Sequence, residues 1–210
     1  MKYLQEQAEE ITAELSKLND AILHDKPINI EDLEDLSKVA KGTKIDIGGE
    51  VMTIEEAENN PDLKMNIEIW KEMKEGNFEN THKLTRITPS VSKYLENVKG
   101  DLNLNNLTSA KGLILPATVE GDLYLRNITS AEDLTLPTTV NGSLYLKSLI
   151  SAEGLTLPNT IKGNLWLNSL TSAKDLILLT NINGNISLRG LTSIDKEELK
   201  KKYPHINIYN

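Results

Sequence analysis

Between residues 100 and 183 apolar and polar positions recur every 21 residues. Gly100, Gly121, Gly142 and Gly163 open successive copies, and Gly184 opens a partial fifth. Within a copy two leucine pairs alternate with their neighbours, Leu102 with Leu104 and Leu113 with Leu115 in the first. A two-residue period over so short a run predicts strand, with successive side chains on opposite faces. Helical spacing is absent, and glycines and Leu-Pro steps punctuate the copies until Leu179 stands in place of Pro. One copy is too short to enclose its own apolar face, so the copies must stack. Two short strands per copy are predicted, each in parallel register with its equivalents above and below.

The columns this creates are chemically consistent. Leu107, Ile128, Leu149, Leu170 and Leu191 form one interior column, and Val119, Val140, Ile161 and Ile182 a β-branched one. Ala110, Ala131, Ala152 and Ala173 form a third, where a larger side chain would jam a corner. Beside them Ser109, Ser130, Ser151, Ser172 and Ser193 are expected as an interior hydroxyl ladder that satisfies backbone groups at the corner. Gly112, Asp133, Gly154 and Asp175 share a turn position that suits positive φ.

The rest of the chain reads differently. Leu4, Ala8, Ile11, Leu15, Leu18 and Ile22 fall three or four residues apart, which predicts an amphipathic helix over 2–24. Its narrow stripe suits packing within the chain, with self-association or a partner helix as the alternative. A second helix is predicted over 30–41, a hairpin over 44–54 around Gly48-Gly49, a helical turn over 55–59 and a third helix over 62–75 with Trp70 as a core anchor. Thr88-Pro89 opens a capped helix over 88–98, and a charged helix spans 193–203 before a last strand at Ile206 and Ile208. Helical segments at both ends of the repeats would hide the exposed edges of a stack.

The Leu123-Tyr124-Leu125 strand and the Leu136-Pro137 step resemble those of bacterial leucine-rich-repeat (LRR) proteins, over roughly residues 82–208. The resemblance implies a horseshoe of parallel strands. The chain departs from the family pattern where Asn is expected, three residues after the strand's second Leu, and carries Leu107, Ile128, Leu149 or Leu170 there. A generic right-handed β-solenoid is therefore the alternative architecture. The copies are also similar to those of bacterial proteins that carry Leu-Thr-Ser-Ala or Leu-Thr-Ser-Leu in every repeat. The expected fold class is α+β. A helical N-terminal segment with a β-hairpin occupies 1–80, and an LRR-like right-handed parallel β-solenoid with helical end coils occupies 81–210. Its regular coils span 100–183, between caps at 81–99 and 184–210.

Charge divides the chain unevenly: residues 1–80 carry a net of −11 and residues 81–210 a net of +3. The acidic first part argues against nucleic acid as a partner. With no cysteine there is no disulfide, thiolate metal site or cysteine nucleophile. The thioester-type ubiquitin ligase chemistry that some bacterial effectors join to similar repeats is excluded with them. The first ten residues are polar and acidic, and no run reaches membrane-spanning length, so the expected location is cytoplasmic, with effector secretion left open.

The functional signal lies on the outward positions of the first strand. The residue between its leucines runs Asn103, Tyr124, Tyr145, Trp166, Ser187; two residues later the same face runs Asn105, Arg126, Lys147, Asn168, Arg189; and the residue before the first Leu runs Asp101, Asp122, Ser143, Asn164, Asn185. At about 4.8 Å between parallel strands the three aromatics form a strip about 10 Å long. Tyr, Trp and Arg are the residue types that carry most binding energy at interfaces. The candidate site is Asp122, Tyr124, Arg126, Tyr145, Lys147, Trp166 and Arg189. The strip is expected to bind a protein or peptide, or alternatively a glycan; packing against the first domain and a purely stabilising ladder are the structural alternatives. His24, His82 and His205 lie in separate elements, and Glu55, Glu56 and Glu58 form only a local acidic cluster. No catalytic constellation, cofactor or metal site is expected.

Overall fold

A computed structural model describes residues 26–29, 39–47, 50–178 and 181–209 of the 210-residue chain. The predicted helix over 2–24, and with it the self-association surface, lies outside the described residues, as does most of the helix predicted over 30–41. The chain forms two compact units, residues 1–64 and 65–210.

In the first unit β1 (Ile28–Asn29) pairs in parallel with β2 (Lys44–Ile47), which pairs antiparallel with β3 (Glu50–Thr53). The β2–β3 hairpin follows from two alternating runs; β1 carries no such pattern and was not predicted. Ile28, Ile45 and Ile47 are buried on this sheet. Thr53 caps the short helix α1 (Ile54–Glu58) with a capping box: Thr53 Oγ1 accepts from Glu56 N–H, and Glu56 Oε2 accepts from Thr53 N–H at 2.8 Å. Glu55 accepts from Gly42 N–H at 2.9 Å. The carboxylates of Glu55 and Glu56 are thus bound to backbone donors.

The helix α2 (Pro61–Lys74) starts at a proline, whose missing N–H costs nothing there, and Asn60 Oδ1 accepts from Leu63 N–H at 3.1 Å. The two compact units divide within this helix, at Lys64–Met65. Asn66 anchors the part of it that belongs to the second unit. It is fully buried, its Oδ1 accepts from the backbone N–H of Thr85 and Arg86 at 3.0 and 3.2 Å, and its Nδ2 donates to Thr85 Oγ1 at 2.7 Å. This amide fixes α2 to the entry of the repeats. Trp70 is buried, as a core anchor should be.

The repeats form two parallel sheets. One strand of each copy contributes to the first: β4 (Leu102–Asn103), β6 (Leu123–Tyr124), β8 (Leu144–Tyr145), β10 (Leu165–Trp166) and β12 (Ile186–Ser187), with β13 (Ile208–Tyr209) added beyond β12. The second holds β5 (Thr118–Val119), β7 (Thr139–Val140), β9 (Thr160–Ile161) and β11 (Asn181–Ile182). Register is 21 residues throughout the repeats, as in Leu123 against Leu144 and Val119 against Val140. The interior is the two faces turned toward each other, where Leu123, Leu125, Ile128, Val140, Leu144, Leu146 and Ile161 are fully buried. Strand-rich repeats with helices make the chain α+β.

The predicted second strand is displaced. Leu113 instead closes a turn, its N–H donating to Ala110 C=O at 2.9 Å, and Leu115 lies between that turn and the strand; the same bond recurs at Leu134, Leu155 and Leu176. Strand structure begins at the Thr-Val step that follows the proline. The turn's third residue takes positive φ at Gly112 (77°), Asp133 (59°) and Gly154 (74°), as a type II turn requires, while Asp175 does not adopt it. The serine column also departs from expectation: Ser109, Ser130, Ser151 and Ser172 are exposed, not interior. Each nevertheless does the work expected of a hydroxyl at a corner, accepting at 3.1 Å from the N–H two residues on, in Lys111, Glu132, Glu153 and Lys174.

Both ends of the repeats carry helices. Thr88 caps α3 (Pro89–Ser92), which tightens into a 3₁₀ turn over Lys93–Asn97. Buried Ser92 ties it to the first copy, accepting from Ile114 N–H at 2.6 Å and donating to Ile114 C=O at 2.9 Å. At the other end Thr192 caps α4 (Ser193–Lys202), and β13 closes the sheet.

Candidate functional site

Leucines flanking each outward residue of the first sheet are buried, so alternation turns Tyr124, Tyr145 and Trp166 to the opposite face. Their in-register backbones fix their spacing. The Tyr124 and Tyr145 rings stack at 4.6 Å between centroids with planes 10° apart, and Tyr145 and Trp166 at 5.8 Å and 6°. The wider second distance between near-parallel planes is an offset stack, a favoured aromatic geometry.

The cations interleave with the rings. Arg126 Cζ lies 5.0 Å from the centroids of both Tyr124 and Tyr145, and Lys147 Nζ lies 5.6 Å from Tyr145 and 4.8 Å from Trp166. Each charge is shared by two rings, within the range of a cation–π contact. Arg126, Lys147 and the three aromatics are all half-buried.

Asp122 has two tasks, one per oxygen. Its Oδ1 accepts from Ser143 N–H at 2.6 Å, and its Oδ2 accepts from the hydroxyls of Tyr124 and Tyr145 at 2.9 and 3.4 Å. The first bond belongs to a ladder that runs up the row. Asp101 Oδ1 accepts from Asp122 N–H, Ser143 Oγ from Asn164 N–H and Asn164 Oδ1 from Asn185 N–H, at 2.8 to 3.0 Å. Asn185 Oδ1 then accepts from Asn207 Nδ2 at 2.7 Å. A short polar side chain in each of the four full copies thereby ties the next copy's backbone. Burial, then the hydrogen bond and charge of Asp122, then the charge of Asp101 and the neighbouring Tyr145, push the Tyr124 phenol up from 10.0 to about 12.

Six of the seven predicted residues therefore form one cluster: Asp122, Tyr124, Arg126, Tyr145, Lys147 and Trp166. Arg189 stands one copy beyond it. That arginine is exposed, and among the described residues nothing bonds to it or stacks on it. It lines a concavity of about 330 Å³ with Asn164, Trp166, Asn185 and Ser187. Sequence reasoning missed Ser187 and the two asparagines. The available signal was the fall in size along one column, from Tyr and Trp to Ser.

Other candidate chemistry is dispersed. His82 is exposed with Nδ1 3.0 Å from Glu79 C=O, and His205 is exposed; His24 is outside the described residues. Among the described residues no acidic, histidine or cysteine cluster could hold a metal ion, and no helix is long and apolar enough to cross a membrane. No protein-family model matches this chain, and neither a curated protein nor a solved structure does.

Proposed function

We propose that this chain is a non-catalytic recognition module that binds an extended protein or peptide segment along the outward face of the first sheet. The repeats, in this reading, wind as an LRR-like right-handed β-solenoid that serves as a rigid ruler for that face. The carrying observation is the row of stacked rings interleaved with cations, held in register by backbone pairing. Rigid aromatic and arginine side chains bind at low entropic cost because they are already ordered.

The same geometry favours a peptide over a glycan. A sugar ring stacks on an aromatic face, and here Tyr145 is covered on both faces by its neighbours. Between its ends the strip offers ring edges and cations outward, which suit the side chains and carboxylates of an extended segment.

The test is selection from a displayed random-peptide library, followed by binding to a Tyr145→Ala/Trp166→Ala variant. Selected peptides should lose at least about tenfold in affinity, the scale of an interface hot spot. The variant must still unfold cooperatively above the assay temperature. Equal binding to variant and parent, or ligands found on a glycan array with none from the peptide library, would overturn the reading.

A further inference from the structure

The aromatic stack stops at Trp166, although β12 and β13 carry the sheet two strands further. Ser187 pairs in register with Trp166, at the position where each of the three preceding copies carries a ring. Tyr145 covers one side of the Trp166 indole, and on the other the concavity of about 330 Å³ opens over Ser187. That volume sits at the lower end of small-ligand sites, which run from about 300 to 1,000 Å³. The strand separation of about 4.8 Å sets the height of the vacant step, close to the spacing the filled steps show.

Two groups lining this step are unsatisfied. Ser187 is 3% exposed, and its Oγ has no hydrogen-bond partner among the described residues. Trp166 Nε1 is buried and unpaired as well. Native interiors pair the great majority of such atoms, so two beside one concavity mark a position where a partner is missing.

Charge narrows the class of partner. The ladder row begins with two carboxylates, Asp101 and Asp122, and becomes neutral at Ser143, Asn164 and Asn185. The cation row is interrupted by Asn168 and resumes at Arg189. Arg126 and Lys147 each lie against two rings, whereas no ring among the described side chains lies against Arg189. This step of the face thus combines an indole, buried polar atoms and an exposed guanidinium, with no acid in its ladder row.

We infer that the step above Ser187 is a subsite for an aromatic residue of the bound peptide that carries a carboxylate on itself or on the next residue. The ring stacks on Trp166 and completes the row, and the carboxylate pairs with Arg189. Arg189 opens the turn two residues after Ser187, and both line the same concavity, so their backbones are at most about 7 Å apart, which a ring and a carboxylate of one residue can span. This rests on the peptide-binding reading and names the chemistry at one end of it.

The chain has two tryptophans, so a ¹⁵N-labelled sample gives two indole N–H signals, and Trp166→Phe assigns them. Buried Trp70 is the internal control. N-acetylphenylalanine at millimolar concentration should shift the Trp166 signal saturably and leave that of Trp70 in place. N-acetylphenylalaninamide, which lacks the charge, should bind about tenfold more weakly, and Arg189→Ala should remove that difference. Ser187→Tyr fills the step from within and should abolish the shift while the Trp166 signal stays sharp and dispersed.

An unmoved Trp166 signal overturns the subsite. So does an equal shift with N-acetylcyclohexylalanine, which is not planar, or a shift that survives Ser187→Tyr. A shift with adenosine monophosphate and none with N-acetylphenylalanine replaces the peptide residue with a nucleotide. Library peptides that need Tyr145 and Trp166 but ignore Ser187→Tyr and Arg189→Ala sink the subsite and leave peptide recognition standing. An empty library screen with the predicted N-acetylphenylalanine response does the reverse.

Discussion

The two sheets of the repeats share one interior and differ on their outer faces. Behind the first, Asp, Ser or Asn in each full copy bonds to the next copy's backbone, rings stack on their equivalents 21 residues away, and cations lie over the next copy's ring. Behind the second, Thr118, Thr139, Thr160 and Asn181 stand in register without such bonds between side chains among the described residues. That side carries the Leu-Pro steps, exposed Ile114 and Ile177, and a concavity of about 390 Å³ lined by no charged residue. Both sheets are equally regular. Backbone pairing over a buried leucine and β-branched core is therefore enough to stack the copies. The side-chain order on the first face is an addition, and it is there that the chain's ring and cation chemistry is concentrated.

The sharpest way to break this contrast is a single methyl group on each side. At Gly142 a Cβ would sit 2.6 Å from the carbonyl carbon of Gly121 and 2.7 Å from Asp122 N, both backbone atoms that cannot turn away. Gly142→Ala should destabilise by about 3 kcal/mol, the upper range for overpacking. Gly154, in the turn leading to the second sheet, has open space around it but a φ of +74°. Gly154→Ala should cost only about 1–2 kcal/mol of left-handed strain. Urea unfolding of both variants measures the difference. A larger loss at Gly154 would show that close approach beneath the first face is not what holds the copies together.

A more local change tests the ladder itself. Asp122→Ala removes the acceptor of Ser143 N–H and of two phenols. It should cost about 2 kcal/mol, since a half-buried donor loses a charged partner. On the other side, exposed Thr135→Ala should stay within about 0.5 kcal/mol. Similar midpoints for the two variants would mean the side-chain bonds of the first face contribute nothing beyond those of the second.

These pairs also show what a sequence of this kind makes legible. Register is a single number here, so 21-residue spacing is enough to place Tyr124 beside Tyr145 and Leu123 beside Leu144. Alternation then decides which of them faces out. The second strand is harder, because Leu113/Leu115 alternates as well as Thr118/Val119 does. Only the turn bond from Leu113 to Ala110, and the pairing that begins after the proline, separate them. The serines illustrate the same limit: their capping role follows from residue type, but their exposure depends on which way the corner turns. Asn66 was invisible for a different reason. It matters through the unpaired loop backbone it meets in space, and that leaves no mark on periodicity, whereas Ser187 stood in the aromatic column as its one small member after Trp166.

The smallest effect lies in the titration of Tyr124, and its sign is fixed by the same contrast. Its phenol is neutral when protonated, and burial, the Asp122 hydrogen bond and nearby negative charge all favour that form. The folded value of about 12 stands above the ordinary 10.0, so the fold holds this proton more tightly than the unfolded chain does. The resulting stability is complete below pH 10 and is lost as pH rises toward 12. Tyrosinate absorbance of the parent against Tyr124→Phe isolates this one phenol. Its ionisation should fall late in the alkaline range and move earlier in Asp122→Asn, which keeps an oxygen acceptor but removes the charge. A phenol that ionises at its ordinary value in the parent would mean that Asp122 is bound to the Ser143 backbone alone, and that the ladder and the ring stack are two independent structures sharing one face.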